Sequence, residues 1–178
     1  MAAFTVLAHT EMSSNGANIT HTGLSSSYDH LLLRWSIRDA TNNYYGDAGI
    51  YFNSTANGST YPLSYRTLHL TASSLTSTNQ SGGYALFGFK NVGNTATSGV
   101  YSNGSCWIPQ YSTTGNGRPI ILHSACSNAA SSSMQSTVMA GYLGNTANAI
   151  SAVTLFNQSG SQFLSGSWLT VYGVNGAT

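Results

Sequence analysis

The segment His30-Leu31-Leu32-Leu33-Arg34-Trp35-Ser36-Ile37-Arg38 repeats with a period of two, which fits a strand and not a helix. Leu31, Leu33, Trp35 and Ile37 share one face, and Leu32, Arg34, Ser36 and Arg38 share the other. Such a strand puts one face in a core and leaves the other partly wet. Further strand candidates recur at short intervals, at 4–9, 17–24, 49–53, 65–70, 84–90, 105–110, 119–124, 134–142, 149–156 and 163–174. In 84–90, Phe87 and Phe89 are expected on one face. Turn signals separate these segments: Ser14-Asn15-Gly16, Asn57-Gly58, Asn103-Gly104, Thr114-Gly115-Asn116-Gly117 and Ser159-Gly160. About ten strands at this spacing predict an all-β chain. The expected architecture is a two-sheet antiparallel β-sandwich, jelly-roll-like, with residues 1–178 forming a single domain. The best candidate for a short helix, 128–133, is expected not to form one.

Composition narrows the function. Only 5% of residues are charged, against about 25% in an ordinary globular domain. Ser, Thr, Asn and Gly number 28, 20, 16 and 19, so uncharged hydrogen-bonding groups must cover the surface. With 41% hydrophobic residues and 11 Tyr, the chain packs a core and does not stay disordered. A net charge of +1 leaves no electrostatic footprint for nucleic acid or for an anionic membrane. A near-neutral surface also does not repel copies of itself. No stretch approaches the roughly 18 apolar residues of a membrane span. The first nine residues lack the basic region of a signal peptide, so synthesis in a cytoplasm is expected. Cys106 and Cys126 are the only cysteines and are expected as core or interface thiols, with a single bridge as the lesser reading.

No chemistry is signalled. The chain lacks a G-x-S-x-G elbow, a P-loop, a dinucleotide fingerprint and a zinc motif, and an enzyme is not expected. The acids are Glu11, Asp29, Asp39 and Asp47. Asp29 and Asp39 lie at opposite ends of one strand, too far apart for paired-carboxylate hydrolysis. Asp39 and Asp47 flank a turn, and capping is their expected role, with a calcium site aided by Asn oxygens as the sharper one. His9, His21, His30, His69 and His123 are not at metal-ligand spacing and are expected as satisfied surface or inter-strand residues; an axial three-His site in a threefold assembly is the rarer reading. No cofactor is expected. Tyr44, Tyr45, Tyr51, Tyr61 and Tyr65 concentrate around one turn and the following strand. Packing between sheets or subunits is their expected use, and contact with glycans, through Tyr44, Tyr45 and Tyr51, is the other.

Three segments together resemble a family of short virion proteins of tailed bacteriophages. The first runs from Asn18 through Tyr28 to Leu31, Leu33, Arg34, Trp35 and Arg38, a strand, a turn, an aromatic and then an alternating Leu-x-Leu-Arg strand with a second Arg. The second is Ile50-Tyr51-Phe52-Asn53, then a polar loop to Tyr61. The third is 149–156 followed by Gly166-Ser167-Trp168-Leu169-Thr170-Val171-Tyr172-Gly173-Val174. The loop after Asn53 departs from the family in lacking Gly-Asp-x-Gly, and the middle of the chain is outside the resemblance. The resemblance implies a surface protein of the virion, commonly a homotrimer. Lacking a shaft or coiled coil, the chain fits a capsid decoration or cement protein bound to the major capsid protein. A tail-fibre or spike module contacting host glycans is the alternative.

Overall fold

A computed structural model describes residues 3–53, 63–83, 85–115, 117–128, 133–144, 148–158 and 160–176. Twelve strands account for its regular structure, and no helix occurs among the described residues. They are β1 (Phe4–Glu11), β2 (Asn18–His21), β3 (His30–Ile37), β4 (Tyr45–Phe52), β5 (Leu63–Thr71) and β6 (Leu75–Gly83). Then follow β7 (Leu86–Val92), β8 (Ser102–Pro109), β9 (Arg118–Asn128), β10 (Ser133–Leu143), β11 (Val153–Asn157) and β12 (Trp168–Val174).

The strands form two antiparallel sheets. One has the order β1-β12-β3-β8-β9-β10-β5-β6 and the other β2-β11-β4-β7. The connectivity has a simple origin. Strand β1 pairs with β12, β2 with β11, β3 with β8 and β4 with β7, as if one long antiparallel ribbon had been rolled up. Those eight strands make two four-stranded sheets in jelly-roll order. Two inserted hairpins, β5–β6 and β9–β10, then widen one sheet from four strands to eight.

Alternation decides which side chains enter the core. Leu31, Leu33, Trp35 and Ile37 are essentially fully buried. They meet Ile50, Phe52 and Phe89 from the smaller sheet and Leu169 and Val171 from β12 in one continuous cluster. Each such side chain contributes about 1.5–3 kcal/mol through loss of apolar surface to water. Trp35 packs against Phe89 at a centroid distance of 5.1 Å, with the rings tilted by 40°.

Several sequence expectations change, among them the last strand, which begins at Trp168 and not at 163 because Gly166 takes a φ of 82°. Asn103-Gly104 is not a turn but lies inside β8, with Gly104 directly opposite Trp35. A Cβ at Gly104 would overlap the indole ring, so the glycine is there for space. Phe87 and Phe89 do not share a face, because Gly88 takes a φ of 80° and bulges the β4–β7 ladder. Phe89 therefore enters the core while Phe87 points outward. Strand β6 carries no apolar alternation and is absent from the sequence expectation. The region 149–156 is extended as a strand only from Val153, because Asn53 holds the preceding residues in another shape. Residues 129–132, which cover most of the helix candidate, lie outside the described residues, as do Tyr61, Asn57-Gly58 and Asn116; Asn128 and Ser133 are strand ends.

Asn53 is the clearest local device. Its φ is 53°, a left-handed conformation that Asn tolerates better than most side chains. Its Oδ1 accepts from Ser151 N at 2.6 Å and Ala152 N at 2.8 Å, and its Nδ2 donates to Ala149 O. One side chain thus shapes the approach to β11. Asn53→Ala is expected to cost about 2 kcal/mol in urea unfolding, from lost hydrogen bonds and an unfavourable φ. Asn53→Gly should cost less, because glycine keeps the φ.

Candidate functional site

The nine formally charged side chains are used in an unusual way. Arg38, Asp39 and Arg118 are buried, and Lys90 pairs with Asp47 at 2.6 Å. Arg38 donates from Nη1 to Thr97 O and from Nη2 to Asn94 O and Ala96 O, so it clamps the turn after β7. Arg118 donates from Nη2 to Thr113 O and Asn148 O. Asp39 Oδ1 accepts from Thr41 N at 2.8 Å, the capping role expected of it. Asp47 takes the Lys90 ion pair, and no group of three His, Cys, Asp or Glu side chains able to hold a metal occurs among the described residues. Glu11, Asp29, Arg34 and Arg66 are exposed, and the Lys90–Asp47 pair is partly so.

The histidines are individually engaged. His9 Nδ1 meets Thr170 Oγ1 at 2.7 Å, His69 Nδ1 meets Thr137 Oγ1 at 3.2 Å, and His123 Nε2 meets Ser136 Oγ at 3.2 Å. His30 Nδ1 accepts from Gln110 N, and His21 Nε2 meets Leu169 O across the sandwich. Burial pushes the His21 and His69 pKa values down by penalising the imidazolium.

Both cysteines are buried free thiols, not a bridge. Burial pushes the Cys126 thiol up to about 11 and Cys106 further still. Native protein at neutral pH is therefore expected to be inert to a chromogenic disulfide reagent and to react at both thiols once denatured. A rapid reaction of one thiol in the native protein would contradict this.

Several residues of the three quoted segments pack the sandwich itself. Tyr28 lies flat where a Cβ on Gly173 would stand, so the aromatic of the first segment covers the glycine of the last. Leu31, Leu33, Trp35, Phe52 and Leu169 are core, Arg38 and Asn53 are clamps, and Gly166 takes a φ of 82°. Arg34 and Tyr172 point out of the sandwich on the free face of the larger sheet.

That face is the main candidate. Register places Val6, Tyr172, Leu32, Trp107, Ile121 and Ala140 side by side across six strands. At about 4.8 Å per strand, this row runs about 24 Å without a charge. Ile121 is 57% exposed and Val6 56%. Aromatic contacts Phe4–Tyr172, His9–Trp168 and His30–Trp107 stiffen one half. Leu68, Leu70, Leu75, Met134, Val138 and Tyr142 extend the exposed apolar surface on the other. Large apolar patches of this kind mark sites where a protein meets another surface. An open depression of about 450 Å³ lies within the face, bordered by Leu32, Arg34, Ser105, His123 and Trp168.

No family model, curated protein or solved structure matches the chain.

A second surface lies on the outer side of the smaller sheet. Tyr51 packs tilted against Phe156 at 5.3 Å, and Phe87 meets the same ring edge-on at 5.7 Å. Gly49 beneath them leaves room for Phe156. Gln80 and Gln158 flank an open depression of about 500 Å³ beside Phe87 and Phe156. Tyr44 is 57% exposed at the start of β4, and Tyr45 packs beside Val92. Of the five tyrosines, Tyr65 is a core residue whose hydroxyl accepts from Phe87 N. Sequence reasoning missed Phe87, Phe156 and Gln158, because only the bulge at Gly88 turns Phe87 outward.

Proposed function

We propose that this chain is a structural protein of a bacteriophage particle's surface, a capsid decoration or cement protein that stabilises the head. The observation that carries the reading is the uncharged apolar row across the free face of the eight-stranded sheet. A protein working alone in water gains nothing from such a row, whereas one seated on a large protein surface buries it. A rigid sandwich with three of its nine charged side chains buried and two more spent on one ion pair fits dense packing among capsid subunits. The contact with the major capsid protein comes from the resemblance of the sequence to phage virion proteins and belongs to the proposal, whereas the trimeric state that the resemblance implies does not.

The test is attachment. Purified protein is expected to co-sediment with heads that lack it, in a fixed ratio to the capsid subunit, and to raise their resistance to heat. Ile121→Lys is expected to abolish attachment while leaving the fold intact by circular dichroism. Heads purified with only a few copies each would reject the reading.

A tail-fibre or spike module is the second reading, favoured by the Tyr51–Phe156–Phe87 platform with its flanking glutamine amides. Aromatic faces and neutral amides suit host glycans. Binding to a glycan array that Phe156→Ala abolishes, with no attachment to heads, would select it.

A further inference from the structure

A sheet edge exposes unpaired backbone N–H and C=O groups, and proteins blunt such edges with charges, proline, bulges or shortness. The edges here are β1 and β6 in the larger sheet and β2 and β7 in the smaller. Three of them are blunted. Strand β1 has a register break between Val6 and Ala8 and carries Glu11. Strand β2 is four residues long. Strand β7 has the Gly88 bulge and Lys90.

Strand β6 is different. Leu75-Thr76-Ser77-Thr78-Asn79-Gln80 holds a regular register against Leu70 through Tyr65, with the irregularity only beyond it. It contains no charge and no proline. Every side chain from Leu75 to Ser81 is exposed, so neither face of this segment is anchored in the core. Among the described residues nothing pairs with its outer edge. An extended segment ordered by pairing on one side alone is at the margin of stability in water.

We infer that two copies of this chain join through β6, antiparallel about a dyad, to make one continuous sixteen-stranded sheet. A strand is the one partner that satisfies a row of alternating donors and acceptors. The partner is a second copy because the segment is compatible with itself. Paired antiparallel about Thr78, it sets Thr78 opposite Thr78, Ser77 opposite Asn79 and Thr76 opposite Gln80, a combination that hydrogen-bonds across strands and repels nowhere. The nearest charge is Arg66 on β5, one strand in from the edge. Two such arginines would be separated by three strand spacings, about 14 Å, beyond the screening length at physiological salt. Pairing over the five residues Thr76 to Gln80 would add about four to six backbone hydrogen bonds. Bonding of β6 to β1 of the next copy, which would build an open filament, is opposed by the bulge and Glu11 on β1. The inference goes beyond the capsid reading and does not rest on it.

The experiment measures the mass of the full chain in solution by light scattering over a dilution series, with Thr78→Lys and Thr78→Glu variants beside it. Thr78 is exposed, so both variants are expected to keep the native circular dichroism and melting profile. The wild type is expected at twice the 18.7 kDa protomer mass, dissociating on dilution. Each variant alone is expected as a monomer, since like charges would face each other across the dyad. An equimolar mixture of the two is expected to return to the dimer mass. A wild type that is monomeric throughout, a trimer, or an oligomer that Thr78→Lys leaves intact would overturn the inference. So would a mixture that stays monomeric. None of these outcomes bears on head attachment, which the Ile121→Lys experiment reads separately.

Discussion

Trp35→Ala is expected to lower the free energy of unfolding by about 3–5 kcal/mol, the range for removing a large buried aromatic. That is a sizeable part of the 5–15 kcal/mol typical of a whole domain. Among the described residues Trp35 is the largest fully buried side chain, and it bridges the two sheets by its tilted contact with Phe89. Its indole Nε1 has no hydrogen-bond partner, so Trp35→Phe loses packing without orphaning a polar group. The Cζ2–Cε2–Nε1 edge of the indole occupies the space left by Gly104. Gly104→Ala should therefore cost about 1–3 kcal/mol by overpacking in the wild type. In the Trp35→Phe background it should cost measurably less, because the atoms it strikes are gone. Denaturant unfolding of the four proteins forms a double-mutant cycle. Strict additivity would show that the two residues do not share that space.

Arg38→Met is expected to cost about 3 kcal/mol, most of it from buried hydrogen bonds to a charged group. The guanidinium holds three carbonyls of one turn, at 94, 96 and 97, with a planar fork of donors. Ala96 O is donated to at 2.8 Å within a buried site and has no ready replacement by water. Arg38→Lys should recover little, since a single ammonium cannot span three acceptors. Loss of the clamp should also free the turn after β7, visible as faster hydrogen exchange at Asn94, Ala96 and Val100. An Arg38→Met protein within 0.5 kcal/mol of wild type would show that water satisfies these carbonyls equally well.

The two substitutions fall within one alternating segment, and they show how far sequence reasoning reached. The face Leu31, Leu33, Trp35 and Ile37 was legible because burial on one side of a strand imposes a period of two. The opposite face was only half legible. Arg34 is exposed there as alternation implies, but Arg38, on the same side by parity, is buried under the 94–97 turn. No local pattern marks a residue that a distant loop covers. Asn53 was legible as part of a motif and not as a clamp, since its partners lie 96–99 residues along the chain.

The same limit applies to the surfaces. Low charge made a packing surface expected, but not its place. The row Val6, Tyr172, Leu32, Trp107, Ile121 and Ala140 draws on six strands, and any one of its members alone is an ordinary exposed apolar residue. Strand β6 gave no signal at all, because a strand with neither face buried has no reason to alternate.

By itself, the sequence determined the all-β class, the strands with a buried face and the identity of most of the core, because those follow from local periodicity and turn chemistry. Tertiary structure alone decided which of the few charges are buried, that Gly104 makes room for Trp35 instead of making a turn, and that Phe87 and Phe89 part at a bulge. It alone decided that two inserted hairpins widen one sheet and leave a polar strand at its edge. These depend on pairings between residues far apart in the chain, and a period of two carries no information about which strand lies beside which.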